Sequence, residues 1–433
     1  MVLAGGAAFI SIAKAKGAST LIIRKGGTVM ASKRTNTSYE DRDVVVLGGA
    51  RTPFGIFNGA LKDISAIDLG AIAAEAALER SGVDAQDVDQ IVFGNVLQTS
   101  KDAIYFARHI GLKVGAPIET PALTVNRLCG SGLQAVVSAA QSLLLGEGSI
   151  ALVGGGENMT QAPFVIRGAR SGLNLGEHKL EDYLWESLVD SYCGLGMALT
   201  AENLAAQYKL DRQTVDAYAL RSQQAARHAQ QQGWLAEEIT PITIKDRKGK
   251  EVVIDQDEGI RETSMEALAK LPSRFRAGGV VTAGNASGIN DAGAALVIAT
   301  GAAARAHGLK PLAKLVSWGI VGVDPTIMGI GPAPAIRQAL KRADLTLDKL
   351  DRVEVNEAFS AQYLAVEKDL GLDRDKTNVN GGAISLGHPL AASGARLVIT
   401  LIHELRRNGL RYGAASLCIG GGQGIAAIFQ ALD

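Results

Sequence analysis

The chain has 433 residues, 47% of them hydrophobic and 5% aromatic, with 44 Lys+Arg set against 44 Asp+Glu. That length exceeds one compact core and implies two to three domains, and the balanced charge points neither to a nucleic-acid partner nor to an acidic disordered chain. Three cysteines make neither a disulfide framework nor a zinc site, and no run approaches about 18 consecutive apolar residues, so no membrane span is expected.

In chain order, residues 1–41 differ in kind from the rest. They carry Lys14, Lys16, Arg24, Lys25, Lys33 and Arg34, with no acid before Glu40. The stretch reads as a dispensable leader or an upstream-extended start, because Met30 opens an ordinary protein start, "MASKRTNTSYEDRD". The placement expected is cytoplasmic, with the mitochondrial matrix as the alternative if residues 1–41 act as a transit peptide.

The run "DVVVLGGARTPFG" (43–55) is the first predicted strand, followed by an amphipathic helix over Ile67–Arg80 and a second strand in "DQIVFGN" (89–95). Strands alternating with helices imply a parallel sheet with helices packed on it. "NRLCGSGLQAV" (126–136) then sets Cys129 before a helix pattern. Two readings stand: a small buried hydrophobe, or a nucleophile whose thiolate is favoured by the helix N-terminus. Residues 161–285 repeat nowhere else in the chain and read as an inserted loop or lid domain, with a helical stretch from Leu199 to Gln230.

A repeat organises the remainder. "ALERSGVDAQDVDQIVFGN" (77–95) aligns without a gap on "ALKRADLTLDKLDRVEVNE" (339–357), and the same offset carries Ser131-Gly132 onto Ser393-Gly394. Both copies run on to a strand ending in three glycines, "ALVGGGEN" and "SLCIGGGQG", with four extra residues in the second copy. Two similar halves are expected, 42–160 and 286–433 once the stretch leading into the second copy is included. Equivalent loops of the two halves then meet, so Cys129 and His388, in "SLGHPLAASG", are expected near one another. Cys418 and Asn356 both fall at predicted strand ends, where sites gather in α/β sheets. Taken singly, Cys418 reads as core and Asn356 as a helix cap. Cys193 has no comparable setting and reads as structural. No phosphate-binding loop, dinucleotide fingerprint or metal-ligand spacing is present.

"NRLCGSG", "VTAGNASGINDAGAA", "NEAF", "GGAISLGHPLAASGAR" and "CIGGGQG" resemble the thiolases over about residues 43–431. The resemblance implies an α/β fold of duplicated βαβαβαββ halves about a pseudo-twofold axis, layered α/β/α/β/α, with an inserted loop domain. It implies CoA-dependent cleavage of 3-ketoacyl-CoA through a cysteine acyl-enzyme, as in fatty-acid β-oxidation, reversible as a Claisen condensation. The alternative it carries is an acetoacetyl-CoA-specific acetyl-CoA C-acetyltransferase. By the same resemblance Cys129 is the acyl acceptor, His388 its base and Cys418 the second proton carrier. Asn356 anchors an oxyanion-hole water, and the N–H groups of Cys129 and Gly420 form the other hole. Met197, Phe275, Ala283, Ser287, Met328 and Phe359 are similar to CoA-contacting positions. No bound cofactor or metal is implied; coenzyme A is a co-substrate, acyl-CoA the partner, and the assembly a homodimer or homotetramer. Acetoacetyl-CoA-specific members place a His where this chain has Gly196, which favours the broader chain-length class.

Overall fold

The structure is a computed structural model that describes residues 38–245 and 248–433. The predicted leader therefore lies, up to Thr37, outside the described residues.

One ten-stranded sheet runs through the described chain. Its strands are β1 (Val44–Arg51), β2 (Gly55–Ile56), β3 (Gln90–Gly94), β4 (Ala122–Val125), β5 (Ile150–Asn158), β6 (Asn290–Thr300), β7 (Ala313–Gly322), β8 (Arg352–Val355), β9 (Tyr412–Ile419) and β10 (Gln423–Ala431). The order is β8-β9-β10-β7-β1-β6-β5-β3-β4, with β2 pairing β6. The internal repeat is visible in this order. β3-β5-β6-β1 in one half matches β8-β9-β10-β7 in the other, and the halves meet where β1 pairs β7 over only Val45↔Lys314 and Val46↔Ala313.

A wholly parallel sheet is not what forms. Only β3 with β4, β3 with β5, and β8 with β9 are parallel. For β9 and β10 the reason is the length of the connection: they are joined by Gly420–Gly422 alone, and a parallel crossover needs a dozen or more residues. The glycine run closes a hairpin there.

Helices cover the sheet on both sides. α1 (Ala66–Ser81) starts where the Ser65 side chain accepts from the Asp68 N–H, and it ends at Gly82 in a left-handed conformation. It buries Ile67, Ala73 and Ala77 against β1, β5 and β6. α2 (Ser131–Leu145) and α5 (Leu390–Arg407) are the equivalent central helices; each contacts strands of both halves and they contact one another. On the far side α4 (Pro332–Ala343) packs on β7 and β10. The layers are thus helix, sheet, paired central helices, sheet, helix.

The central pair crosses at Gly132 and Gly394, the two positions the repeat equates. A Cβ on Gly132 would stand 2.4 Å from the Ala391 carbonyl oxygen, and one on Gly394 would stand 2.3 Å from the Leu133 backbone nitrogen. Only glycine at both positions permits that approach. The segment Leu128–Leu145 is apolar and long enough to cross a membrane, but 61% of it is buried inside the protein, as befits a central helix.

Between the halves, the helical stretch expected from 199 to 230 is two helices, α3 (Met197–Tyr208) and a second over Arg212–Gln231. Lys209 in the left-handed region ends the first, and Asp211 caps the second by accepting from the Thr214 N–H. A buried ion-pair cluster ties this stretch to β1: Arg51 reaches Glu238 at 2.9 Å and Asp257 at 2.7 Å. Removing one partner would leave an uncompensated buried charge, which typically costs about 3–5 kcal/mol.

Candidate active site

The segment before α2 folds as a tight turn. Leu128 has φ +47°, the Leu128 N–H donates to Asn126 Oδ1 at 2.9 Å, and the Ser131 hydroxyl donates to the Leu128 carbonyl at 2.7 Å. Cys129 is thereby presented half-buried, one residue ahead of Gly130, the residue that opens α2. Across from it the loop before α5 carries His388. The Asn290 Oδ1 accepts from the His388 backbone N–H at 3.0 Å and fixes the loop.

Cys129 and His388 line one cavity of about 520 Å³. Met197, Phe275, Ser287, Met328 and Phe359 line it too. Ala283 does not; it lines an adjoining chamber of about 370 Å³ that shares Arg274, Phe275 and Ser287 with the first. Cys418, at the end of β9, is fully buried behind Met197, Met328, Ala358 and Phe359. Asn356, at the end of β8, is also buried. The "NEAF" and "GNASG" segments meet because the Ser287 N–H donates to the Ala358 carbonyl and the Ser360 N–H to the Asn285 carbonyl.

The hydrogen bonds of His388 define its tautomer. Ser393 Oγ lies 2.6 Å from Nδ1, and the Ser393 hydroxyl donates to the Pro389 carbonyl at 3.2 Å. Its oxygen therefore accepts from Nδ1–H. On the other side the Asn356 amide donates to Nε2 at 3.4 Å, so Nε2 carries the lone pair. Asn356 Oδ1 is buried without a protein partner and can accept from a water.

Burial dominates the titration of this group of residues. It holds the His388 imidazole far below its ordinary range, to about 3, with Arg396 adding repulsion of a proton. It pushes the Cys129 thiol up to about 11, against a hydrogen bond from the Gly420 N–H that favours the thiolate. Cys418 is raised further, by burial first and then by the proximity of Cys129. The expectation that the helix N-terminus favours a resting thiolate at Cys129 is therefore not met: desolvation outweighs the dipole and the Gly420 N–H. The resting pair is thiol and neutral imidazole, and the thiolate arises only when the proton moves to Nε2.

Several residues escaped sequence reasoning. Ser393 read only as a helix opener, though it lies five residues after His388 on the turn that begins α5. Glu157 is buried, is raised to about 7 by desolvation, and accepts from the Val96, Leu97 and Ala391 N–H groups beside Cys129. Trp185, Leu188, Val189 and Leu390 give the cavity an apolar wall, and Arg274 lines both it and the second chamber. The basic pair in "SRFR" was the one available signal for Arg274. Cys193 lies outside the cavity wall, its Sγ 3.9 Å from the Asp190 carbonyl. Among the described residues no cluster of His, Cys, Asp and Glu is arranged to hold a metal ion.

Two domain models of one family match the chain in succession. The thiolase N-terminal domain matches residues 44–302, and the thiolase C-terminal domain matches residues 309–431. The mitochondrial 3-ketoacyl-CoA thiolase of Homo sapiens is 53% identical over 390 residues, covering 90% of this chain and 98% of that protein. The crystal structure of the human mitochondrial 3-ketoacyl-CoA thiolase in complex with CoA superposes with a TM-score of 0.88 at 52% identity, over 90% of this chain and 98% of that one. An acetyl-CoA acetyltransferase of Syntrophomonas wolfei subsp. wolfei is 46% identical over 396 residues, covering 90% of this chain and 100% of that protein. The cytoplasmic placement drawn from the sequence is corrected by the first of these, since that relative at 53% identity is a mitochondrial enzyme. With matched domains over nearly all of residues 44–431, the chain belongs to the thiolase family.

Proposed function

We propose that this acyltransferase cleaves 3-ketoacyl-CoA with CoA, giving acetyl-CoA and a shortened acyl-CoA. The observation that carries the reading is Cys129 and a base-competent His388 on the wall of one cavity, with Cys418 buried close enough for Cys129 to raise its pKa.

His388 Nε2 takes the Cys129 proton as the sulfur attacks the 3-keto carbon. The oxyanion that forms accepts from the N–H groups of Cys129 and Gly420; the Gly420 N–H lies close enough to the Cys129 sulfur to lower its pKa, which supports this role. Breaking the bond between the 2- and 3-carbons leaves an acyl-Cys129 and the enolate of acetyl-CoA. The enolate oxygen meets protonated His388 and a water held by Asn356, while the Cys418 thiol protonates the carbon. The resulting Cys418 thiolate takes the proton of an incoming CoA thiol. That CoA sulfur displaces Cys129, whose thiolate recovers its proton from His388. Each residue ends in its starting state.

The same groups run backwards as a condensation of two acyl-CoA molecules. The 46% identity to an acetyl-CoA acetyltransferase favours acetyl-CoA as a substrate in that direction, and this second reading stands beside the first. The wall of Trp185, Leu188, Val189 and Leu390 offers apolar surface to a chain longer than acetoacetyl. The test is CoA-dependent loss of 3-ketoacyl-CoA absorbance across a chain-length series. Turnover of acetoacetyl-CoA alone would establish the second reading, turnover across longer chains the first, and no turnover of any member would overturn both.

The division of labour follows the repeat: residues 42–160 supply Cys129, residues 286–433 supply His388, Cys418 and Asn356, and residues 161–285 supply the outer cavity wall. The 53% identity to a mitochondrial enzyme supports the mitochondrial matrix as the location. A homodimer, or a tetramer of two, is supported by the edge strand β4, where Leu123 is half-exposed. Light scattering of the purified protein tests this.

A further inference from the structure

Arg127 lies two residues before Cys129. Its guanidinium donates from Nε to Gln134 Oε1 at 2.7 Å and from a terminal nitrogen to Gln423 Oε1 at 2.6 Å. Gln134 belongs to α2, in the first half. Gln423 begins β10 in the second half, directly after Gly420–Gly422. One planar cation thus bridges the cysteine loop and the glycine loop. These two loops carry the N–H groups of Cys129 and Gly420.

Apolar contacts also join the loops. The Cβ position of Gly130 lies 2.7 Å from Ile419 Cδ1, and that of Gly420 lies 3.3 Å from Leu128 Cδ1. Such contacts fix distance but not direction, whereas a guanidinium fork fixes both. Leu128, between Arg127 and Cys129, has φ +47°, a conformation a leucine adopts only when its surroundings hold it there.

We propose that Arg127 and Gln423 form a positioning clamp that sets the two oxyanion donors, Cys129 N–H and Gly420 N–H, at their working separation. The proposal rests on the reading of Cys129 as acyl acceptor. Arg127 acts through the backbone of its own loop, and Gln423 through the backbone of the glycine loop.

Two reactions of Cys129 separate the clamp from general disorder. Acetylation by acetyl-CoA joins Cys129 Sγ to the acetyl carbon through an oxyanion, with the Cys129 proton taken by His388 and the departing CoA sulfur protonated by Cys418. Alkylation by iodoacetamide joins the same sulfur to carbon and releases iodide and a proton, with no oxyanion formed. In the full-length protein, Arg127→Met and Gln423→Leu are each expected to slow single-turnover acetylation about 10- to 100-fold, less than full loss of a donor because the hole is misaligned and not removed. Alkylation is expected to stay within about twofold, since it needs no oxyanion donor. Gln423→Glu keeps an acceptor for the fork and is expected to retain acetylation within about threefold. The double variant is expected to be no slower than the slower single variant, because both break one link.

Acetylation at the wild-type rate in Arg127→Met would overturn the proposal. So would equal loss of acetylation and alkylation, or a double-variant loss equal to the product of the single losses. A wild-type protein whose Cys129 alkylates but never acetylates would instead remove the underlying reading of Cys129.

Discussion

Substituting Gly132 by alanine perturbs the helix crossing that holds the two halves of the site together. The new Cβ would meet the Ala391 carbonyl oxygen at 2.4 Å and the Ala395 backbone nitrogen at 2.8 Å. Both obstructing atoms are main chain, so no rotamer change relieves the clash. The shorter contact has to open by at least about 0.6 Å to reach 3.0 Å, and α2 and α5 must separate by that much. Overpacking of this kind costs about 1–3 kcal/mol, of which alanine's better helix propensity returns about 1 kcal/mol. The effect on turnover is expected to be larger than the effect on stability. Cys129 and His388 sit at the starts of these two helices, and a misplacement of about 1 Å can cost roughly 100-fold in rate. Gly132→Ala is therefore expected to lose about tenfold or more in kcat while unfolding at a slightly lower urea concentration. Gly146→Ala, at the other end of α2, is the comparator: its φ is +80° with nothing within 4 Å of the added Cβ. It is expected to cost about 1–2 kcal/mol through backbone strain with kcat unchanged. The assay is steady-state thiolysis of acetoacetyl-CoA beside urea unfolding of each variant. Wild-type kcat in Gly132→Ala, or an equal loss of kcat in Gly146→Ala, would refute the reasoning.

Ser393→Ala removes the acceptor of the His388 Nδ1–H and frees the imidazole to turn; kcat is expected to fall about 10- to 100-fold with KM for CoA little changed, and unchanged kcat would show that Ser393 does not orient the ring. With His388 held near 3 and Cys129 near 11, iodoacetamide alkylation of the free enzyme is expected to climb steadily towards alkaline pH, and a plateau reached by neutral pH would contradict the burial argument. His388 also makes stability depend on pH: its folded pKa lies below the unfolded 6.5, so the unfolded chain binds the extra proton between about 3 and 6.5 and stability falls as pH falls through that window. Urea unfolding of His388→Asn across this window should show a shallower decline than wild type, and an identical decline would refute the assignment. Cys418→Ala is expected to acetylate at Cys129 yet to lose exchange of the acetyl-CoA α-protons with solvent; exchange at the wild-type rate would mean that another group moves that proton.

The sequence made the repeat legible because the two copies keep one offset through β3 and β8 and through α2 and α5. From that offset alone Cys129 and His388 were expected together, and they share a cavity wall. Strand direction was not legible in the same way, because a run such as "SLCIGGGQGIAAIF" gives no sign that its glycines close a hairpin. Ser393 was hidden for a similar reason: its bond to His388 depends on the turn at Pro389 and on no spacing that a motif records. The charge state of Cys129 went the other way from expectation. A helix N-terminus is readable from residue types, but the desolvation that outweighs it depends on what packs around the sulfur. Arg127 and Gln423 lie far apart in the chain, and only the folded meeting of the two loops brings them together.

The central claim is that Cys129 alone carries the acyl group. Incubating the wild-type protein with acetyl-CoA in the absence of free CoA, then quenching and mapping the peptides by mass, tests it directly. The acetyl group is expected on Cys129 only, discharged on adding CoA and absent from Cys129→Ala. Acetylation of Cys418 or Cys193, or turnover without any covalent acyl-enzyme, would contradict the account.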